Sequence, residues 1–577
     1  MPKRLRTFVS PVKCRVPDGG LADLLDDGGR PVCWLDCLFD GGVLVPDDVE
    51  AGSGPPLLWL VTGPPGIGKT LFFLELCYRM ATQPQDDGNT VSTFFFSAES
   101  PAGRLGQNMR DLGWEYVVDA QLAQSPLVRA ARDGDRGGMW AAGTEITATP
   151  PLGPPAHLFQ RLSEIRGLSD ARVVVIDSLN MLRFRWDAEE VLKALRAEPP
   201  AGIWILILIQ DWARGNEPYF AFMPDIETRF EQTSEAGYML RTFQIVKMRW
   251  QEHAQGRHVL KVYGKPKDGM AQAAATGHLG LDREQGGVYV LPSIHRHLGA
   301  IRPARRANAG ERSRLEAVDV AVKGMSAIMP VGPVDPQEKT PGGFPKGRCT
   351  AIVGDRGALK SHLAYCTLLR HLEQNPQALG VMFSLRDDER AALDALEQIC
   401  GQEGICDLGS LANGANRRLD IVYFHPGYIP PAEFMHRVVV AIDGLVQRHG
   451  EEAGRDVIVV LNGLDHLAAR HPLCAAEDMF VPALIAYLCE REVTSLVVAA
   501  TDQPAPQPTA GLLPMADLLL RLERVSPFER RPDNVPESAE QLVRIVAQRV
   551  PSGGTSGRWG ILYRDRERKG CLGFALQ

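Results

Sequence analysis

Leu57-Leu-Trp-Leu-Val-Thr62 runs straight into Gly63-Pro-Pro-Gly-Ile-Gly-Lys69-Thr70, and Leu71, Phe72, Leu74, Glu75, Leu76 and Tyr78 follow in a helical pattern. A continuous apolar run of strand length, a glycine-rich turn and a helix stand here in the order a phosphate-binding loop needs. The turn (Gly63, Pro64, Pro65, Gly66, Ile67, Gly68) lets backbone N–H groups curl around phosphate, and the helix N-terminus adds positive potential. In that setting Lys69 reaches the β- and γ-phosphates of a nucleotide and Thr70 holds Mg2+.

Such a loop needs an acidic partner at the end of a buried strand. Arg172-Val-Val-Val-Ile-Asp177 supplies one, so Asp177 is expected to hold Mg2+ together with Thr70. Between them, Val91-Ser-Thr-Phe-Phe-Phe-Ser-Ala-Glu99 reads as another strand ending in a carboxylate. On a neighbouring parallel strand that group faces the γ-phosphate and orients the attacking water, which makes Glu99 the expected catalytic glutamate. The apolar run Ile203–Ile209 ends at Gln210, placed to sense the phosphate.

The second half repeats this order. Gly342-Gly-Phe-Pro-Lys-Gly-Arg-Cys-Thr-Ala-Ile-Val353 leads into Gly354-Asp-Arg-Gly357-Ala-Leu-Lys360-Ser361 and a helical stretch. Val381-Met-Phe-Ser-Leu, Val457-Ile-Val-Val-Leu-Asn462 and Ser495-Leu-Val-Val-Ala-Ala500 follow as strands, so the chain reads as one α/β unit duplicated in tandem. The copies differ where chemistry would be done. Leu359 replaces the last glycine of the loop and is expected to crowd the turn. Asn462 replaces the strand-ending aspartate, with Asp465 the alternative ligand three residues on. Leu385 and Arg386 occupy the region of Glu99, so no matching carboxylate is expected there. The second copy should hydrolyse little or no nucleotide, while Gly354, Gly357, Lys360 and Ser361 remain able to bind one.

Composition agrees with two soluble cores. At roughly 150 residues per domain, 577 residues allow two to four domains. Hydrophobic residues at 45% and charged residues at 23% exclude a wholly disordered or fibrous chain. The net charge of −7 is too mild to indicate a nucleic-acid or membrane surface. No apolar run is long enough to span a bilayer and no signal peptide is visible, which points to the cytoplasm. Eleven scattered cysteines do not form a disulfide scaffold; Cys33 and Cys37, with Cys14 upstream, lack the second pair a zinc site needs and read as buried thiols.

The sequence resembles the KaiC family of RecA-like ATPases. Gly342-Gly-Phe-Pro-Lys-Gly-Arg is similar to the motif that precedes the family's phosphate loop, and Gly41-Gly-Val-Leu-Val-Pro46 is a looser version. Phe96-Ser-Ala-Glu99-Ser-Pro101 lies where the family carries its catalytic glutamate; members usually show two adjacent glutamates, and Ala98 stands in place of the first. Phe230 to Arg241 and Ile245-Val-Lys247-Met-Arg249-Trp-Gln-Glu-His253 are similar to the C-terminal strands of a KaiC domain. The resemblance covers about residues 30–295 and 325–577. It implies two tandem RecA-like P-loop domains, each a mostly parallel twisted sheet flanked by helices. It also implies ATP bound between subunits of a ring that is usually hexameric, with Lys247 and Arg249 reaching the nucleotide of the adjacent subunit.

The expected layout is an N-terminal extension (1–29), an active ATPase domain (30–295), a basic linker (296–324) and a degenerate copy (325–577). The linker reads as solvated charge, with contact to a neighbouring subunit or an acidic partner as the alternative. Pro126 to Pro155 reads as a mobile excursion. Gly215 to Phe222, aromatic through Tyr219, Phe220 and Phe222 and next to Trp212, suits either a partner or nucleic-acid contact or a local apolar plug. The reading is thus a Mg2+-dependent ATPase whose turnover drives assembly or conformational switching. A DNA-dependent recombinase or helicase is not favoured, since the loop has only Arg214 beside it. A nucleotide-gated signalling scaffold with a protein partner is the other rival.

Overall fold

The computed structural model describes residues 3–15, 21–26, 28–97, 102–114, 139–141, 172–182, 202–211, 223–235, 237–264, 286–294, 316–320, 322–329, 342–405, 408–413, 417–427, 429–450, 456–501, 509–526, 529–550 and 559–577. The chain divides into two units, Met1–Lys13 with Asp23–Arg296, and Cys14–Ala22 with His297–Gln577.

In the first unit the apolar runs become the strands β1 (Leu57–Gly63), β2 (Thr93–Ser97), β3 (Met139–Ala141), β4 (Val173–Asp177) and β5 (Ile205–Asp211). Longer, partly exposed segments form β6 (Ile226–Glu235) and β7 (Tyr238–Met248), and the shorter β8 (His258–Tyr263) and the buried β9 (Gly287–Leu291) follow. Among the described residues these make one sheet in the order β9-β8-β7-β6-β1-β5-β4-β2-β3. From β3 across to β6 the neighbours are parallel; β7, β8 and β9 add antiparallel pairs. β1 and β4 are buried along their whole length, and β5 at all but its last residue, so they need apolar side chains on both faces. β2 follows β1 in the chain but lies three places away, which opens a crevice beyond the carboxyl ends of the parallel strands.

Helix α1 (Lys69–Thr82) closes that crevice from one side. It buries Phe72 and Phe73 in an aromatic cluster: Phe73 lies 5.3 Å from Trp59, and Phe72 lies 5.3 Å from both Phe230 and Phe243. Each such ring contributes roughly 1.5–3 kcal/mol by burial, enough to fix the helix and therefore the loop that precedes it. Helix α2 (Ala102–Asp111) follows β2.

The second unit repeats the plan with β10 (Cys349–Gly354), α3 (Lys360–Gln374), β11 (Leu379–Ser384), α4 (Glu389–Glu403), β12 (Leu419–Tyr423), α5 (Pro431–His449), β13 (Val457–Asn462), α6 (Phe480–Glu490), β14 (Thr494–Ala500), β15 (Leu518–Arg524), β16 (Ala539–Arg549), β17 (Trp559–Asp565) and β18 (Cys571–Leu576). Its sheet runs β12-β11-β13-β14-β10-β15-β16-β17-β18, which is the first order read from the other edge. The expected α/β class, with large, mostly parallel sheets and flanking helices, is what the chain forms. Among the described residues no helix is long and apolar enough to cross a membrane.

Candidate functional site

The first phosphate loop leaves the carboxyl end of β1, where Gly63 passes so close to β6 that a Cβ would meet the Phe230 carbonyl at 2.7 Å. Gly68 caps α1 in the left-handed region (φ 113°), a conformation only glycine takes without cost. Lys69 is 5% exposed. Its Nζ donates to Gly63 O at 2.9 Å, to Pro64 O at 2.8 Å and to Asp211 Oδ1 at 2.7 Å. The Thr70 hydroxyl donates to Asp177 Oδ2 at 2.8 Å, and Asp177 is 1% exposed at the end of β4. The expected pairing of Thr70 with Asp177 is therefore present as a contact.

These groups open onto a cavity of about 520 Å3, within the roughly 300–1,000 Å3 typical of small-molecule sites. Pro65, Gly66 and Gly68 line it from the loop, Asn108 and Asp111 from α2, and Asp177 and Asp211 from the strand ends. β8 flanks the loop, with Val262 Cγ2 4.0 Å from the position a Cβ on Gly68 would take.

Asp211 was not among the residues expected from sequence. β5 ends one residue later than the apolar run suggests. Gln210 is buried, and Asp211, across from Gly63 in the parallel register, reaches Lys69. Asn180, three residues after Asp177, fixes it: Asp211 N donates to Asn180 Oδ1 at 2.7 Å, and Asn180 Nδ2 donates back to Asp211 O at 3.1 Å.

The second loop keeps the shape and alters the groups. Lys360 Nζ donates to Gly354 O at 2.9 Å and to Asp355 O at 2.5 Å. Leu359 adopts the left-handed conformation of Gly68 (φ 57°), and its side chain, 6% exposed, packs into the core. It does not crowd the phosphate side of the turn as expected. Ser361 donates to Asn462 Oδ1 at 2.9 Å, and Asn462 Nδ2 donates to the Tyr365 hydroxyl at 2.7 Å and lies 3.5 Å from Asp387 Oδ2. A carboxylate thus does reach this region, from three residues past Ser384, the counterpart of Ser97. Burial, then the Asp387 charge, push the Tyr365 phenol up. Asp465 does not substitute for Asn462. Its Oδ1 accepts from Ala500 N at 3.0 Å, the role Asn180 plays for Asp211. Ala500 pairs with Gly354 as Asp211 pairs with Gly63, so no carboxylate stands at that register.

Lys247 pairs with Glu227 across β6 and β7, is partly exposed, and Arg249 follows on the surface with Nε 3.9 Å from Asp225 Oδ1. Register alignment places Arg549 of β16 at the position of Lys247, because Glu227 pairs with Leu60 as Leu519 pairs with Ala351. Arg549 donates to the carbonyls of Leu513, Pro514 and Ala516. Glu99, the Gly215–Phe222 loop with Trp212, most of Pro126–Pro155 and linker residues 296–315 lie outside the described residues.

Burial pushes the Cys33 and Cys77 thiols up, as for inert core cysteines. One group among the described residues, His362, Cys366 and Glu403, brings a nitrogen, a sulfur and an oxygen within 4.8 Å. Arg564 lies 3.1 Å from His362 Nδ1 and can only donate to it, so the ring proton sits on Nε2 and no lone pair faces the other two groups. The group reads as a charge-bridged core contact.

No curated protein matches the chain. Residues 56–266 match the family model described as the KaiC ATPase, a stretch that starts just before β1 and ends just after β8. The loop, its Thr70–Asp177 pair and the crevice they line belong, accordingly, to a KaiC-like, RecA-type P-loop ATPase domain, which the first unit of this chain contains.

Proposed function

We propose that the first unit binds ATP with Mg2+ and hydrolyses it. In this reading turnover drives assembly or a conformational switch of a homo-hexameric ring in the cytoplasm. The observation that supports it most is the Thr70–Asp177 contact at 2.8 Å beside Lys69, on the wall of the cavity at the strand ends. A hydroxyl and a buried carboxylate are the hard oxygen donors Mg2+ takes, so Thr70 and Asp177 fit the ion. Bound there, Mg2+ would neutralise charge along the phosphates. Lys69 and the amides of Gly63 to Thr70 hold the phosphates. Glu99 orients the attacking water and accepts its proton. Lys247 and Arg249 act from the adjacent protomer on charge developing at the γ-phosphate.

The second unit, in this reading, turns over little or no nucleotide and serves structure or control, with Gly354, Gly357, Lys360 and Ser361 as a residual binding site. Asn462 brings no charge to a metal, and Arg549 is engaged with carbonyls of its own chain. A protein partner suits this device better than nucleic acid, given the net charge of −7.

Turnover measured on the full chain tests the assignment. Lys69→Ala should lower ATP hydrolysis by about 100-fold or more, whereas Lys360→Ala should change it by less than about twofold. Unchanged turnover in Lys69→Ala would sink the reading. Native mass spectrometry with and without ATP should show the ring, and a monomer under both conditions would remove the subunit-interface part.

A further inference from the structure

Phosphate binding turns on Lys69, and its three ammonium protons meet three acceptors: Gly63 O, Pro64 O and Asp211 Oδ1. The two carbonyls belong to the loop, and Lys360 has their counterparts in the second unit. Asp211 is the third acceptor, and it is the charged one. A phosphate oxygen that is to receive a hydrogen bond from Lys69 must take the place of one of the three. All three bonds share the ionised donor, but only Asp211 sets a full opposite charge against it, so Asp211 is the acceptor against which a phosphate competes hardest.

The backbone that carries the Asp211 carboxylate is fixed in place. Asn180 grips both its N–H and its carbonyl, and Asn180 stands three residues after Asp177, in the short helix Leu179–Leu182. The carboxylate is 26% exposed and lines the same cavity as Thr70 and Asp177. In the second unit Asp465 holds Ala500 N in the same way but presents a methyl group at that register.

We infer that Asp211 is a positioning residue of the first nucleotide site. It holds Lys69 while no phosphate is bound, and it sets nucleotide affinity by competing with phosphate for that ammonium. This rests on the reading that the first unit binds nucleotide.

Binding of a fluorescent ATP analogue to the full chain tests it. Asp211→Asn keeps the shape of the side chain and removes its charge, and should bind the analogue about tenfold more tightly than wild type. Asp211→Glu restores the charge and should return affinity to within about threefold of wild type. In a Lys69→Ala background the gain from Asp211→Asn should shrink to about twofold or less, because the two changes act through one contact. Should Asp211→Asn fail to fold by its thermal melt, Asp211→Ala reproduces what the second unit carries at Ala500 and should show the same gain. Folded variants that bind no more tightly than wild type would overturn the inference, as would a gain that persists undiminished in Lys69→Ala. A wild-type chain that binds no nucleotide would overturn the functional reading itself, a result distinct from either.

Discussion

The two phosphate loops stand on the same strand of the same sheet order, yet they are gripped from different sides. The first loop is held through its lysine, by Asp211. The second keeps the contacts from its lysine to two loop carbonyls and is also held through its backbone and its own carboxylate. Asp355 Oδ2 accepts from Arg524 N at 2.9 Å, and the Gln541 amide, carried on a bulge of β16, donates to Gly357 O. The comparison teaches that the turn and the chemistry are separable. The turn is set by the close approach of Gly63 or Gly354 to the neighbouring strand and by the helix behind it. The chemistry is set by whichever side chains the next strand ends present. A duplicated core can therefore keep its loop after the groups facing that loop have changed.

The metal-side residues offer the largest way to break that contrast. Asp177→Asn gives the first unit the residue of the second, and ATP turnover should fall by about 100-fold. The reciprocal Asn462→Asp should not create an ATPase, tested in a Lys69→Ala background so that the first site is silent. Asn462 is 1% exposed, and its amide donates to Tyr365 and faces Asp387. An aspartate there would put a buried carboxylate beside the partly exposed one of Asp387 and remove the amide that donates to Tyr365, costing the second unit about 1–3 kcal/mol. Turnover appearing in that double variant would show the second unit to be a single substitution away from activity.

What could be read from sequence follows from how local each signal is. Leu57–Thr70 and Arg172–Asp177 announce themselves because strand, turn and charge lie within a few residues, and the repeated order revealed both sheets. Asp211 and Asp387 escaped, and Arg549 was not matched to Lys247, because each depends on register between distant strands. Asp211 matters through its position opposite Gly63, one residue past the polar Gln210, and a one-residue step on a strand turns the side chain to the other face. Asp387 lies three residues past Ser384, beyond the end of its strand. Arg549 is hidden by a change from lysine to arginine and by irregular pairing in β15–β16. Leu359 was legible as a departure from glycine. That its side chain would turn inward to the core was not, since nothing in the local sequence records where the core lies.

Leu359 sharpens the contrast at a smaller scale. Holding a leucine in the left-handed region costs roughly 1–2 kcal/mol, while its buried side chain stabilises by more. Leu359→Gly should relieve the first and forfeit the second, since large truncations in a core typically cost about 2–5 kcal/mol. The second unit should lose about 1–3 kcal/mol in denaturant titration, read by hydrogen exchange on peptides of α3. A more stable variant would mean that the loop, not the core, determines that residue.

Acid should separate the two units most gently. Burial first, and then the Arg437 and Arg470 charges, lower the His471 imidazole to about 4; it packs 6.3 Å from the rings of Phe424 and Phe434. Folded His471 stays neutral where the unfolded chain, with a value near 6.5, takes up a proton. Its contribution is complete above about pH 6.5 and is lost as the pH falls towards 4. The first unit carries the opposite sign. Burial raises the carboxyls of Asp36, which accepts from Thr7 N, Thr7 Oγ1 and Phe8 N, and of Glu75 beside Arg79. A carboxyl raised in the folded state favours folding below its ordinary range and loses that advantage as the pH rises. Hydrogen exchange between pH 7 and 4.5, corrected for intrinsic rates, should show the second unit opening more readily relative to the first. His471→Gln should remove the second unit's share of the difference. A second unit whose protection falls just as steeply in that variant would place the acid sensitivity elsewhere than this ring.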